Sequence, residues 1–173
     1  MKILATFDAN DYQDTVDVYE RYSVRGIIMR DGMLATQCDR DGAYKLPGGG
    51  PEAGEAFREA LAREVREETG LRVIEGEITE LGEILEIRKD LFDAAKKYIC
   101  HSLFYFCRVG TEAEEPCLTA SERERGYQFR WTMPEEICRE NTRPGREPWI
   151  VRDAAFVQMI IDKRVILPDD AEG

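Results

Sequence analysis

Residues 49–71 read GGPEAGEAFREALAREVREETGL and directly follow the turn LPG at positions 46–48. On a helix this stretch brings Glu64, Glu67 and Glu68 within one turn, because residues at i, i+3 and i+4 are neighbours about 5–6 Å apart at Cβ. Three carboxylates held this close repel one another. The cluster is therefore stable only if it is fully solvated, paired with cationic side chains, or occupied by a bound cation.

The direction in which the carboxylates point helps to decide among these cases. Projection of residues 55–69 at the helical period gives one apolar stripe. The stripe consists of Phe57, Leu61 and Val65, with Ala60 at its margin. Glu64 and Glu68 fall on the same side as the stripe, and Glu67 lies at its edge. A charge that points toward the protein body without a partner is costly, so a purely solvated acidic face is disfavoured.

A bound metal ion accounts for this cluster better than arginine pairing does. Arg63 is close enough to pair with one of the carboxylates and to orient the group, but one arginine cannot balance three acids. All candidate ligands are oxygens, and hard oxygen ligands favour Mg²⁺ or Mn²⁺ over Zn²⁺. A magnesium ion held by a few carboxylates takes its remaining ligands from water and from substrate phosphates.

The same residues resemble the Nudix box, the signature of the Nudix hydrolase family. Nine positions carry the resemblance: Gly49, Glu55, Arg63, Glu64, Val65, Glu67, Glu68, Gly70 and Leu71. The resemblance implies an α/β fold, specifically a Nudix-like α/β/α sandwich with a mixed β-sheet, formed by residues 1–173 as a single domain. It also implies a hydrolase that uses a divalent metal ion to cleave a nucleoside diphosphate linked to another group.

The resemblance further assigns roles to individual residues of the box. Glu64, Glu67 and Glu68 match the family's metal-binding and base carboxylates, and Arg63 matches the arginine that positions them. Together these four form the expected catalytic set. Glu55 matches a glutamate whose role is mostly structural.

The glycine turn and its neighbours are the expected substrate contacts. Gly48, Gly49 and Gly50 allow the backbone to approach phosphates closely, and the resemblance implies that the Gly48 carbonyl can reach the metal. Tyr44 can stack on a nucleobase, although packing in the core is an equally good interpretation.

Charged residues outside the box supply further candidates. Many relatives carry Arg or Lys where this chain has Gln37 and Cys38, which leaves Arg25 and Arg40 as candidate phosphate contacts. One more carboxylate is expected to join the metal from the acidic loop before the last strand. Glu124 is our candidate, with Glu122 as the alternative.

Composition limits the classes of partner. The net charge of −11 disfavours a nucleic-acid binder, which needs a basic surface, so a small nucleotide is the expected partner, with a homodimer possible. The chain lacks the apolar run of a membrane span and the apolar length of a signal peptide. Five cysteines without a pairing motif favour a reduced, cytoplasmic protein.

His101 is the single histidine of the chain. It lies in an apolar run, where a packing role is favoured over a catalytic one.

Hydrophobic periodicity and turn residues predict the order of elements. A lead-in over residues 1–18 contains one short strand, and Asp31-Gly32 forms a hairpin turn. Predicted strands are Tyr22–Arg30, Met33–Cys38, Leu71–Ile74, Ile78–Arg88, Tyr98–Val109 and Gly126–Thr132. Predicted helices run from about Ala53 to Thr69, from Pro134 to Arg139 and from Pro148 or Trp149 to Lys163, and Thr111–Arg125 is an acidic loop.

The leading hypothesis is a Mg²⁺-dependent pyrophosphohydrolase of a nucleoside triphosphate or a related nucleoside diphosphate derivative. The alternatives within the family are an ADP-ribose, NDP-sugar or dinucleoside polyphosphate pyrophosphatase. A non-catalytic nucleotide-sensing domain is a different class, but such domains usually lose an acid of the box, and this chain retains all of them. A Nudix-fold isomerase would need a reactive cysteine, for which the sequence offers no context.

Overall fold

The structure is a computed structural model that describes residues 1–168 of the chain; the last five residues of the predicted domain lie outside the described part. Its strands are β1 (Ile3–Asp8), β2 (Asp17–Ile27), β3 (Met29–Arg30), β4 (Met33–Cys38), β5 (Tyr44–Lys45), β6 (Leu71–Lys89), β7 (Lys96–Ala113) and β8 (Gln128–Thr132). Its helices are α1 (Phe57–Thr69), α2 (Ala120–Arg125), α3 (Pro134–Asn141) and α4 (Pro148–Ile161).

The larger sheet is mixed and has the strand order β1-β6-β7-β2. β6 and β7 form the long antiparallel pair that the sequence predicts, and β1 and β2 add to its two sides in parallel. The predicted strands Leu71–Ile74 and Ile78–Arg88 join into one strand whose register shifts between Val73 and Ile78. The register of β2 on β7 places Ser23 opposite Ser102, which later matters for the functional cleft.

The smaller sheet is built around β4, which pairs antiparallel with β3, β5 and β8. The predicted hairpin turn between β3 and β4 is confirmed: Asp31 and Gly32 have φ values of 51° and 76°. Two consecutive positive φ values are typical of the type I′ turn that favours Asp-Gly. β5 directly precedes the glycine turn, so this sheet helps to fix the position of that turn.

Helices cover both faces of the strands, and each side has its own core. On one side, Leu61 and Val65 of α1 pack with Val24 and Leu103 of the larger sheet. On the other side, Phe156 of α4 stacks on Phe104 of β7 with ring centroids 3.7 Å apart. This arrangement confirms the predicted α/β/α sandwich with a mixed sheet.

Helix α1 begins at Phe57 and not near Ala53 as predicted. Gly54 has a φ of 83°, which lies outside the helical region, and Glu55 N donates to Glu52 O in a turn at 3.0 Å. The glycine therefore delays the helix by one turn. The C-terminus agrees with the prediction, because Gly70 ends the helix in the left-handed conformation that glycine favours.

The prediction of an acidic loop over Thr111–Arg125 is wrong at both ends of that segment. β7 continues to Ala113, and the segment Ala120–Arg125 forms helix α2. Thr119 caps this helix, and its backbone N–H donates to the Glu122 carboxylate at 2.8 Å. The Thr-x-x-Glu pattern is a known capping box, so the signal for this helix was present in the sequence.

The N-terminal lead-in contains the predicted short strand as β1, and β2 begins at Asp17, five residues before the predicted start. The last helix ends at Ile161 and not at Lys163. Among the described residues, no helix is both long and apolar enough to span a membrane.

Candidate active site

A cleft of about 570 Å³ lies where α1, the glycine turn, α2 and the start of α4 meet. Its acidic lining residues include Glu64, Glu67, Glu68 and Glu122. Its cationic lining residues are Arg21, Arg25, Lys45, Arg63, Arg125 and Arg152. Aromatic rings of Phe92, Tyr98, Tyr127 and Trp149 complete the wall. The cleft therefore combines carboxylates, cations and flat apolar surfaces within one volume.

Glu68 is the most deeply placed carboxylate of the cleft, with 1% of the residue exposed. Its Oε2 accepts a hydrogen bond from Gly48 N at 2.8 Å, and its Oε1 pairs with Lys45 Nζ. Burial raises the pKa of Glu68 to about 7, although Lys45 and the Gly48 amide both favour the charged form. The inward direction predicted for this side chain is confirmed.

Arg63 holds three carboxylates of the box at once. Its Nη1 donates to Glu64 at 2.9 Å and to Glu67 at 3.2 Å, and its Nε and Nη2 each donate to Glu55 at 2.9 Å. Pairing with Arg63 lowers the pKa of Glu55 to about 2. Arg63 thus contacts more acids than the one pair that the sequence analysis named, because the guanidinium fork offers five donors, and these bonds agree with its expected role in orienting the group.

The glycine turn is fixed against β2. Val24 N donates to Gly49 O at 2.9 Å, and Gly26 N donates to Pro47 O at 2.7 Å. Gly48 has a φ of 143°, and a Cβ there would overlap the Val24 carbonyl, so this position requires glycine. A Cβ at Gly49 would meet the carboxylate of Glu64, which would have to move. The turn therefore places the backbone directly beside the acids.

The other contacts of the turn specify its orientation. The backbone N–H of Gly48 points at Glu68, so the contact present at this residue is through its amide; the predicted contact of its carbonyl with a metal stays a prediction. Gly50 O accepts from Arg63 Nη2 at 3.2 Å. That bond makes Gly50 part of the support for Arg63.

Lys45 is a functional candidate that the sequence analysis missed. It lies on β5, and its Nζ pairs with Glu68 and lies 3.7 Å from Oε1 of Glu122. The two-residue alternation of a strand was the available signal, since it turns Lys45 away from the core side that holds Tyr44. Lys45 therefore acts as the resident counter-ion of the most buried acid.

Of the two candidate carboxylates in the acidic segment, Glu122 lines the cleft and Glu124 does not. Glu122 lies in the first turn of α2, lines the cleft and approaches Lys45, whereas Glu124 is exposed and does not line it. Burial disfavours the charged form of Glu122, but hydrogen bonds from Thr119 outweigh this effect and lower its pKa. The helical turn explains the correction, because residues two apart on a helix face different directions.

Thr119→Ala is expected to lower the free energy of unfolding by about 0.5–1 kcal/mol, because the substitution removes the N-cap hydroxyl of α2. The same change removes the 2.8 Å bond from Thr119 Oγ1 to Glu122 and leaves the bond from the backbone N–H. Urea denaturation measures the loss, with Thr119→Ser as the control that keeps the hydroxyl. Equal stability of the alanine and serine variants would contradict this role.

Three predicted substrate contacts, Tyr44, Gly50 and Arg40, are not among the lining residues of the cleft. Tyr44 is buried in the core, and its hydroxyl donates to Glu136 at 2.8 Å, so the ring is not available for a base. Arg40 is exposed, and its side chain packs against Gly126. Arg25 does line the cleft, but as a buried residue.

His101 takes part in packing away from the cleft, as the sequence favours. Its ring stacks on Tyr22 with centroids 4.4 Å apart, and its nitrogens lie 2.5 Å from Glu83 and 2.9 Å from Glu20. The five cysteines are free thiols. Cys100, however, lines the inner part of the cleft, a placement that its sequence context did not indicate.

The donor chemistry of the cleft fits a hard divalent cation, because its acidic residues offer only oxygen ligands. Within residues 1–168, no three acidic, histidine or cysteine side chains are arranged around a common metal position. Instead, Arg63 and Lys45 neutralise the acids. Lys45 therefore occupies one oxygen of Glu68 in this structure.

Comparison with known proteins agrees with the geometry. The NUDIX domain family model matches residues 20–152. The nucleoside triphosphatase NudI of Escherichia coli O139:H28 is 32% identical over 125 residues, which cover 68% of this chain and 85% of that protein. The NudI of Salmonella schwarzengrund is 28% identical over 125 residues, with coverages of 69% and 86%.

Solved structures show the same fold at low sequence identity. The NUDIX hydrolase from Nitrosomonas europaea gives a TM-score of 0.59 at 19% identity and covers 87% of this chain and 95% of its own. The MutT protein from Methanosarcina mazei Go1 gives a TM-score of 0.56 at 19% identity, with coverages of 87% and 99%.

Proposed function

The chain belongs to the Nudix family of hydrolases, and on that premise we propose that it is a Mg²⁺- or Mn²⁺-dependent pyrophosphohydrolase of nucleoside triphosphates. One observation carries the proposal: the box carboxylates and the glycine turn line the same cleft as several cations and aromatic rings. The similarity to proteins named nucleoside triphosphatase supports the substrate class.

Glu64, Glu67 and Glu68 are the proposed metal ligands, with Glu122 as the carboxylate from outside the box. A divalent ion held there would neutralise phosphate charge and lower the pKa of water. Arg63 keeps the acids in place through its bonds to Glu64 and Glu67. Lys45, once released from Glu68, is free to contact a phosphate oxygen.

The remaining charged and aromatic groups suit the other parts of a nucleotide. Arg21 and Arg125 line the cleft and are exposed, which suits them to contact the phosphates. Tyr127 and Trp149 also line the cleft and are the candidate rings for stacking on a base. A reducing, cytoplasmic location, the absence of nucleic-acid binding and a possible homodimer are parts of this proposal that rest on composition alone.

The products of a triphosphate test the proposal directly. A pyrophosphohydrolase is expected to release a nucleoside monophosphate and pyrophosphate, because the box carboxylates and the glycine turn would bind an internal phosphate pair and a bound metal would supply activated water. Chromatography resolves these products, and ¹⁸O-labelled water marks the attacked phosphorus. Orthophosphate and a nucleoside diphosphate as the main products would refute the proposed mechanism.

Related substrates form the alternative within the same chemistry. Turnover only of ADP-ribose, an NDP-sugar or a dinucleoside polyphosphate would keep the cleavage mechanism and change the substrate class. Tight nucleotide binding without turnover under Mg²⁺ or Mn²⁺ would instead favour a sensing domain. The complete set of box acids argues against that last case, since a retained carboxylate cluster is costly.

A further inference from the structure

The inner end of the cleft contains two buried arginines that the proposed chemistry does not use. Arg25 of β2 is 5% exposed and Arg152 of α4 is 2% exposed, yet both line the cleft. Arg152 donates to Asp153 Oδ1 through Nε at 3.2 Å and through Nη2 at 2.8 Å. Asp153 is in turn fixed by Leu46 N, which donates to its Oδ2 at 3.1 Å. The pair of arginines is thus anchored to the segment that enters the glycine turn.

Arg25 is less well satisfied than Arg152. Its Nη1 donates to Val24 O at 3.2 Å. Its Nε is buried and lies 3.7 Å from Asp153 Oδ1, which is beyond hydrogen-bond distance, and no described residue accepts a bond from it. A buried N–H donor without an acceptor is unfavourable. Because Arg25 lines the cleft, a ligand there can bring an acceptor to this side chain.

Charges of both signs act on Arg25. Arg152 opposes its charge most strongly, and Asp153 and Glu68 favour it. Glu68 already pairs with Lys45, and Glu86, which acts on Arg152, already pairs with Arg88. The unused donor remains, and a carbonyl oxygen can accept from it without adding charge.

The walls near Arg25 suit a flat ring with polar edges. Ser23 lies two residues before Arg25 on β2, and its Oγ is 3.4 Å from Ser102 Oγ. Tyr98 and Cys100 lie on the same face of β7 and line the same cleft. This combination of hydroxyls, a thiol and an aromatic ring resembles a base site more than a phosphate site.

We propose that Arg25, held in place by Asp153 and Arg152, donates a hydrogen bond to the exocyclic oxygen of a keto nucleobase and makes the enzyme prefer keto bases to amino bases. This inference rests on the proposed hydrolysis of nucleoside triphosphates. A guanidinium only donates hydrogen bonds, so an exocyclic oxygen satisfies it. An exocyclic amino group in that place also donates and leaves both groups unpaired.

Two matched pairs of substrates isolate this contact. ITP and ATP differ at purine position 6, where one has an oxygen and the other an amino group, and UTP and CTP differ in the same sense at pyrimidine position 4. In the ring class that is hydrolysed faster, kcat/KM for the keto member is expected to exceed that for the amino member at least about ten-fold, the discrimination typical of a good arginine–base contact.

Substitutions at Arg25 test whether this residue carries the preference. Arg25→Gln and Arg25→Lys are both expected to reduce the keto/amino ratio to within about two- to three-fold of unity, because neither keeps the planar fork of donors. Arg25→Lys keeps the charge, so loss of the ratio in this variant separates donor geometry from charge. Arg30→Gln is the control, since Arg30 lies outside the cleft against Trp131.

Binding provides a readout that does not depend on turnover. Calorimetric titration of IMP and AMP, with EDTA present, is expected to show the same preference in the wild-type protein and its loss in both Arg25 variants. Thermal melts verify that the variants are folded. If the variants lose binding or turnover equally for keto and amino nucleotides, Arg25 contacts a phosphate and the inference fails.

The outcomes for the two proposals are distinguishable. Absence of triphosphate turnover combined with a keto preference in monophosphate binding would reject the proposed function and support the role of Arg25. Turnover to monophosphate and pyrophosphate with equal rates for ITP and ATP and for UTP and CTP would support the function and overturn the role of Arg25.

Discussion

Replacement of Glu68 by glutamine is expected to lower kcat at saturating Mg²⁺ by at least about 100-fold, because the substitution removes a charge that acts when the transition state forms. Glu68 is the most buried carboxylate of the cleft and is fixed by Gly48 N. Glutamine keeps the size of the side chain and one oxygen acceptor. The main loss is therefore expected in kcat, and thermal melts measure separately what the broken Lys45–Glu68 pair does to folding stability.

The control for this substitution is Glu75→Gln, which changes an exposed glutamate of β6. It is expected to leave kcat within about two-fold of the wild-type value, since surface changes of this kind have small effects. Steady-state kinetics over a series of Mg²⁺ concentrations separates lost metal affinity from lost catalysis. A Glu68→Gln enzyme that works within a few-fold of the wild type would remove Glu68 from the proposed metal site.

The parts of the fold that the sequence predicts are those with a strong local signal. Helix α1 has an apolar stripe at a constant period and a glycine at its end, and Asp31-Gly32 carries a turn preference of its own. The start of α1 was misplaced because Gly54 acts against a run of good helix formers. Helix α2 has six residues and none of them is buried, so it has no apolar stripe, and only the capping pattern at Thr119 could have revealed it.

The residues of the candidate site also differ in how well the sequence alone predicts them. The box acids and Arg63 are close in sequence, so helical geometry alone brings them together. Lys45, Glu122 and Arg152 come from β5, α2 and α4, and only tertiary packing places them in the cleft. Tyr44 was a candidate base contact next to the correct position in the sequence. Its side chain faces the core, whereas that of its neighbour Lys45 faces the acids.

Removal of the metal with EDTA is expected to abolish activity, because the proposed mechanism depends on the metal for charge neutralisation and for activation of water. The loss of folding stability on removal of the metal is expected to be smaller than three adjacent carboxylates alone would suggest. Isolated acids would repel one another without a counter-ion, but Lys45 already pairs with Glu68 and Arg63 with Glu64 and Glu67. The wild-type melting temperature should therefore rise only modestly on addition of Mg²⁺.

Lys45→Met tests whether this lysine is the counter-ion that the metal replaces. Without Lys45, the buried Glu68 has no cation on Oε1, so the metal-free variant is expected to melt lower than the wild type. Mg²⁺ then removes a larger penalty, and its binding raises the melting temperature by mass action. The rise should thus be larger in Lys45→Met than in the wild type or in Lys2→Met, an exposed control. An equal rise in all three proteins would show that Lys45 and the metal do not compete for Glu68, and full activity in EDTA would contradict the metal site itself.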